Sequence, residues 1–186
     1  GTELFFYLRD RDNLFAQITA ALDQLELTVL DARIITSPCG FALNSFTVVE
    51  DTGEAITERR RIRTIVHGLH QQLNCPDTIP SVPTRRTPRL LRHFQTPTRV
   101  SFTDDDANQR TIMELSSTDR PGLLCRVGRA FMECNIRVQN AKIATIGARA
   151  EDTFYIIDRD NRPLREARQF VALRETLVRH LDGDTV

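Results

Sequence analysis

The chain has 186 residues, of which 40% are hydrophobic and 27% are charged. This composition supports packed cores and excludes a disordered tail. Its 25 basic residues balance its 25 acidic residues, so the net charge gives no reason to expect nucleic acid or a membrane surface as a partner. The sequence has no signal peptide and no apolar run long enough to cross a membrane, which predicts a cytoplasmic protein. Because it opens with Gly1 and runs directly into a strand pattern, we expect a piece of a longer protein.

The segment 1–75 changes its apolar period in a definite order. The strand pattern ELFFYL is followed by apolar residues at helical spacing over residues 14–25. Two further strand patterns, LTVLDARII and FALNSFTVVED, flank the turn SPCG. A second helical pattern covers residues 62–73. The predicted order is β-α-β-β-α, and it defines a first domain over residues 1–75.

A proline-rich segment follows at residues 76–97. Five prolines in this segment predict an extended connector between two domains. Its sequence TRRTPRLLRHF carries four arginines beside Phe94. The arginines form either a solvated surface or a docking surface for a partner or another domain.

The remainder of the chain repeats the first part. When Asp10 is aligned with Asp119, RDRDNLFAQITAALDQLELTVLDARIIT matches TDRPGLLCRVGRAFMECNIRVQNAKIAT without a gap. The same alignment pairs Phe46 with Tyr155 in the following strand. The strand pattern RTIMEL precedes this repeat, and a last helical pattern covers residues 170–181. Two copies of one small domain are the simplest explanation.

Each copy contains most of a ferredoxin-like unit, which ends in a fourth strand. TRVSF at residues 98–102, joined by the turn TDDDANQ to the next strand, predicts a hairpin that supplies this strand to the second copy. We expect the first copy to take its own from upstream of Gly1 or from the connector. The sequence thus predicts an α+β protein of two ferredoxin-like domains, each an antiparallel sheet with two helices on one face and split β-α-β topology. The second domain covers residues 98–186.

The loop DRPGLL before the helix of the second copy has two interpretations. In the first, Asp119 is an N-cap, Pro121 suits the first turn of the helix, and Gly122 permits tight packing. In the second, the same groups bind a free amino acid. Helix N-terminal amides attract its carboxylate, and a side-chain carboxylate attracts its ammonium group.

These motifs together resemble the ACT domains, a family of small-molecule sensors in amino-acid metabolism. More closely, RHFQTPTRVSF, MELSSTDRPGLL and QNAKIATIGARAEDTFYIID are similar to the C-terminal end of the bifunctional uridylyltransferase/uridylyl-removing enzymes. The resemblance implies a glutamine-sensing module that regulates the attached catalytic domains, and through them the PII nitrogen-signalling protein. It also implies that UTP and a magnesium ion serve those catalytic domains. We expect no catalytic residue and no cofactor in this chain itself.

The resemblance implies a ligand site in the second copy and a weaker one in the first. The second-copy residues that it implies are Asp119, Arg120, Gly122, Leu123, Asn135, Gln139 and Asn140. Those of the weaker site are Asp10, Asn13, Leu14 and Asp31. Asn13 in place of glycine, and Glu26 in place of asparagine, weaken the expectation for the first copy.

Other functions remain open from the sequence. The chain fits a tandem ACT regulator of another amino-acid pathway enzyme, or a dimerisation module without a ligand. Exposed sheet edges favour a homodimer, pairing of the two copies within the chain, or both. A small enzyme with metal ligands at residues 104–106 is a third class, but three consecutive acids are more typical of a solvated turn. His67 and His70 have the spacing of metal ligands, although we expect two exposed histidines on an amphipathic helix.

Overall fold

The computed structural model describes residues 1–37, 39–74, 96–146 and 148–183. Residues 76–95 of the predicted connector, with its arginines and Phe94, lie outside the described residues, and the domain boundaries stay predictions. The described regular elements are β1 (Thr2–Arg9), α1 (Leu14–Gln24), β2 (Leu27–Thr36), β3 (Phe41–Glu50), α2 (Arg59–Leu73), β4 (Arg99–Asp105), β5 (Arg110–Thr118), α3 (Leu123–Glu133), β6 (Ile136–Lys142), β7 (Thr145–Ile146), β8 (Arg149–Asp158) and α4 (Ala167–Asp182). Within these ranges, no helix has the length and apolar character needed to cross a membrane.

The described strands form two antiparallel sheets. The first has the order β1-β3-β2, and the second has the order β4-β5-β8-β6 with the short β7 paired to β8. The predicted α+β fold of two ferredoxin-like units is therefore confirmed. The predicted hairpin is also present, since β4 pairs with β5 and places Val100 opposite Leu115. Its turn is shorter than predicted, because Asp104 and Asp105 continue the strand and only residues 106–108 form a 3-10 turn.

Each sheet buries one face under its own helices. Phe46 at the centre of β3 and Phe154 at the centre of β8 have no exposed surface. Because side chains alternate across a strand, every second residue beside them also faces the core. The inner faces of α1 and α3 complete the same packing with Ile18 and Val127. Burial of these apolar side chains is the main force that holds each helix against its sheet.

The gapless alignment of the two copies is wrong in the third strand of each. Phe46 and Phe154 occupy equivalent core positions, opposite Ala32 and Ala141, so Phe46 does not correspond to Tyr155. The turn explains the change. The first copy uses five residues between the paired residues 36 and 42, whereas the second uses four between residues 145 and 150. The correct alignment therefore has a gap of one residue in this turn of the second copy.

The two copies pack side by side within the one chain. Edge strands β2 and β6 lie next to each other, and α1 packs on α3. Phe15 of the first copy contacts two rings of the second, with centroid distances of 6.2 Å to Phe131 and 5.8 Å to Phe154. An ion pair from Arg137 to Asp10 crosses the same junction. The pairing within the chain, which the sequence left open, is therefore present.

Gly128 lies where α3 crosses α1, and we predict that this crossing has no room for a side chain. A Cβ at Gly128 would lie 2.7 Å from the Cα of Ala16, which is backbone and has little freedom to move. Replacing Gly128 with alanine should therefore lower the free energy of unfolding by about 1–3 kcal/mol in urea denaturation. The loss should occur although alanine favours helix more than glycine does.

The matched control is Gly68→Ala in α2. Its Cβ would meet the flexible end of Leu25 at 2.9 Å, so the side chain can move aside and the change should be near neutral or slightly stabilising. Equal losses in the two variants would contradict a rigid crossing at Gly128.

Candidate functional site

Two cavities of the described structure lie at the junction between the copies. Cavity 1, of about 440 Å³, is lined by residues 10, 11 and 13–16 of the first copy and by α3 and β6 of the second. Cavity 2, of about 180 Å³, is lined by residues 119–125 of the second copy and by α1 and β2 of the first. Each cavity therefore combines the loop before one helix with the edge strand of the other copy. The internal repeat relates the two.

The loop at cavity 2 presents the N-terminus of α3. The helix begins at Leu123, and Gly122 before it has a left-handed backbone with φ 77°. Leu123 N–H donates to the carbonyl of Arg120 at 3.1 Å, which closes a turn through Pro121. This turn separates Asp119 from the helix, so the predicted N-cap role of Asp119 is wrong. No side chain of a described residue caps α3.

Asp119 is held at the side of cavity 2 by two hydrogen bonds. Its carboxylate accepts from the hydroxyl of Thr145 and from the backbone N–H of Arg120. Partial burial raises the pKa of Asp119 above its usual range, and these two hydrogen bonds oppose the rise. The carboxylate is therefore oriented, partly desolvated and directed at the cavity that the loop encloses.

Asp152 of β8 is a second carboxylate in cavity 2, and only 1% of its surface is exposed. Burial raises its pKa to about 7, the backbone N–H of Ala144 lowers it, and the charge of nearby Asp119 raises it further. A third carboxylate, Asp23, comes from α1 of the first copy. Cavity 2 thus gathers acidic groups from both copies.

Cavity 1 has a different charge arrangement. Asp10 corresponds to Asp119, but its carboxylate already pairs with the guanidinium of Arg137 at 2.6 Å. The same guanidinium lies 3.5 Å from Asp12. Asn44 and Met132 stand where cavity 2 has Asp152 and Asp23. The larger cavity is therefore the less acidic one.

The ligand-binding residues predicted for the second copy do not all lie in one cavity. It brings Asp119, Arg120, Gly122 and Leu123 together around cavity 2. Gln139, by contrast, lines cavity 1, next to the loop of the first copy.

The two predicted asparagines lie elsewhere. Asn135 is exposed in the turn after α3, where its φ of 54° suits asparagine by backbone preference alone. Asn140 lies on β6 at a β-bulge, opposite Tyr155.

The residues predicted for the weaker site of the first copy also do not all lie in one cavity. Asp10, Asn13 and Leu14 line cavity 1. Asn13 takes the left-handed backbone of its counterpart Gly122, with φ 64°. Asp31 lies on β2, where its carboxylate is 3.8 Å from Arg33.

Sequence reasoning missed Asp152 and Asp23. A signal for Asp152 was present, because the alternation that places Phe154 and Ile156 inside β8 places Asp152 on the same face. Asp23 carried no such signal, since its contact with the loop of the other copy depends on how α1 and α3 pack. Its Oδ2 lies 3.4 Å from the position that a Cβ of Gly122 would take.

Comparison with known proteins finds relatives along almost the whole chain, although no family model matches it. The chain is 51% identical to a bifunctional uridylyltransferase/uridylyl-removing enzyme of Methylococcus capsulatus. This match extends over 178 residues, or 96% of the chain. It is 42% identical over 184 residues to the enzyme of that name in Pseudomonas entomophila, and 43% over 182 residues to that in Ectopseudomonas mendocina, with 98% and 97% of the chain covered. The chain spans about one fifth of the length of these relatives, 20% in each case.

Proposed function

We propose that this chain, which is homologous along nearly its whole length to a segment of the bifunctional uridylyltransferase/uridylyl-removing enzymes, is a regulatory module that binds L-glutamine in cavity 2. The observation that carries the proposal is the position of this cavity. It lies between the two copies and contains both an uncapped helix N-terminus and oriented carboxylates. A ligand held there would contact both copies at once.

The groups around cavity 2 are complementary to an amino acid. The first turn of α3 offers the backbone amides that follow Leu123 to the ligand carboxylate. Gly122 adds no side chain to this approach, which Asp23 borders. Asp119 offers its carboxylate to the ligand ammonium group. The volume of about 180 Å³ equals that of roughly six water molecules, which suits one small amino acid.

The glutamine side chain requires partners that both donate and accept hydrogen bonds. Gln139 and Asn140, which the sequence suggested for this role, lie outside cavity 2. The hydroxyls of Thr28 and Thr145 line it instead, one from each copy. The Thr145 hydroxyl already donates to Asp119 and can still accept, and the Thr28 hydroxyl can donate or accept. We therefore assign the ligand amide to this side of the cavity.

Regulation would follow from the contacts with both copies. A ligand between the loop of the second copy and α1 and β2 of the first stabilises the arrangement in which these elements are packed. The shift in packing is limited by the difference in ligand affinity between the alternative arrangements. We propose that the catalytic domains of the longer enzyme respond to this packing. Uridylylation of PII with UTP and magnesium, and removal of UMP, would occur in those domains.

The proposal is tested by titrating L-glutamine into the chain in a calorimeter. We expect saturable binding, at least about tenfold weaker binding of L-glutamate and L-asparagine, and loss of binding in Asp119→Ala. Removing a partly desolvated charge partner of the ammonium group is enough to account for this loss.

The matched control is Asp10→Ala in cavity 1, which should leave glutamine affinity unchanged. Binding that survives in Asp119→Ala and disappears in Asp10→Ala would place the site in cavity 1. A folded chain that binds no amino acid would reject the sensor function.

A further inference from the structure

Asp152 has an unused acceptor inside cavity 2. Its Oδ1 accepts a hydrogen bond from the backbone N–H of Ala144 at 3.2 Å. Its Oδ2 is buried and has no hydrogen-bond partner among the described residues. A buried carboxylate oxygen without a partner is costly, and here it lies on the wall of a cavity that can admit one.

We propose that Asp152 pairs, together with Asp119, with the ammonium group of the ligand in cavity 2, and that the pairing with Asp152 releases a proton. The inference rests on the proposed function of the cavity and adds to it the residue that selects a cationic ligand. Asp119, which already accepts two hydrogen bonds, is the other carboxylate for the same ammonium group. Cavity 1 has the neutral Asn44 at the position of Asp152, so it lacks the charge for the same pairing.

The surroundings of Asp152 favour a cation with several donors. The ionisable side chains that line cavity 2 with it are Asp23, Asp119, Arg120 and Cys125. A primary ammonium group donates three hydrogen bonds and carries the compensating charge. A metal ion fits less well, because the described residues contain no group of three or more His, Cys, Asp and Glu arranged to hold one.

Proton release follows from the protonation of Asp152 before a ligand binds. With burial and the charge of Asp119 acting on it, Asp152 carries a proton over much of the range below pH 7. When an ammonium ligand binds, the O–H bond of Asp152 breaks, the proton passes to solvent, and the carboxylate pairs with the ammonium ion. One proton is released per ligand below pH 7, and none is released well above it.

Affinity should therefore rise with pH and then level off near pH 7. The rise has a limit of tenfold per pH unit, because a single proton is displaced.

Cavity 1 provides the internal comparison. Asn44 is 2% exposed and its Oδ1 likewise has no hydrogen-bond partner among the described residues. A neutral amide lacks the charge to pair with an ammonium ion, and Asp10 nearby is already paired with Arg137. At this buried position, cavity 2 therefore has a carboxylate where cavity 1 has a neutral amide.

The test is calorimetric titration of L-glutamine in pairs of buffers that differ in ionisation enthalpy, phosphate and Bis-Tris at pH 6, and phosphate and Tris at pH 8. The difference between the buffers gives the number of protons released. We expect close to one proton at pH 6, close to none at pH 8, and higher affinity at pH 8. Asp152→Asn should bind about 30-fold or more weakly at pH 8, without buffer dependence at pH 6. Asn44→Asp changes cavity 1 and should leave the affinity and the proton release of cavity 2 unchanged.

Variants are compared after circular dichroism confirms an unchanged fold. A panel of amino acids is also titrated, together with 4-carbamoylbutanoate, which is glutamine without its amine. Glutamine binding without proton release, or with equal affinity in Asp152→Asn, overturns the role of Asp152 and leaves the sensor function intact. Proton-linked binding of a different amino acid supports Asp152 and overturns glutamine as the ligand. Equal binding of 4-carbamoylbutanoate overturns ammonium recognition, and no binding of any compound overturns both proposals.

Discussion

Replacing Asp152 with asparagine should stabilise the folded chain at pH 8 while it weakens ligand binding. The carboxyl has an ordinary pKa of 3.8 and a pKa of about 7 in the folded protein. Between these values the folded state binds the proton more tightly than the unfolded state, so the free energy of unfolding falls as the pH rises. Above pH 7 the full difference is lost, which corresponds to about 4 kcal/mol. Asparagine keeps the shape of the side chain and an acceptor for Ala144 without this loss.

The measurement is urea denaturation of wild type and Asp152→Asn between pH 4 and pH 8. The advantage of the variant should be near zero at pH 4 and should grow to a few kcal/mol, with a limit of about 4 kcal/mol, at pH 8. Asn44→Asp is the reciprocal control, and it should destabilise the chain more at pH 8 than at pH 4. An advantage of Asp152→Asn that does not depend on pH would contradict ionisation of Asp152 as its cause. A binding site that needs a buried carboxylate is expected to reduce stability in this way.

Replacing Phe15 with alanine should lower the free energy of unfolding by about 3–5 kcal/mol. Phe15 is 8% exposed, and it joins the core of the first copy to that of the second through Phe131 and Phe154. The last two rings also contact each other, with a centroid distance of 5.3 Å. Removing Phe15 leaves a cavity in this cluster, and the lost contacts come from both copies.

The matched control is Leu124→Ala, at the equivalent position of the second copy. Leu124 is only partly buried and packs at the margin of the core, so we expect a loss of about 1–2 kcal/mol. Thermal unfolding followed by calorimetry would compare the two variants. A loss for Phe15→Ala no greater than that for Leu124→Ala would show that the aromatic cluster does not join the copies energetically.

Local patterns in the sequence predicted most of the architecture. The change of apolar period from two to 3.6 and back identified the strands and helices of both copies, because the backbone itself sets these periods. The repeat identified the second copy, and TRVSF identified the hairpin strand β4. The acid, proline and glycine of DRPGLL also identified the loop that lines cavity 2.

The partners of that loop could not be derived in this way. The sequence grouped Gln139 with Asp119, whereas the structure places Gln139 against the loop of the first copy. It also gave no sign that Asp23 faces Gly122 across the junction. These contacts depend on the side-by-side packing of β2 with β6 and of α1 with α3, which joins residues that are far apart in the sequence.

The one-residue difference between the two turns could be found only from the tertiary structure. The shorter turn before β8 aligns Asp152 with Asn44, and only strand register reveals this equivalence. The sequence by itself determined the elements, the repeat and the fold class, because local backbone geometry and side-chain polarity set them. The tertiary structure decided which carboxylates share a cavity and which of them are buried, because burial and charge proximity exist only after distant segments have packed together.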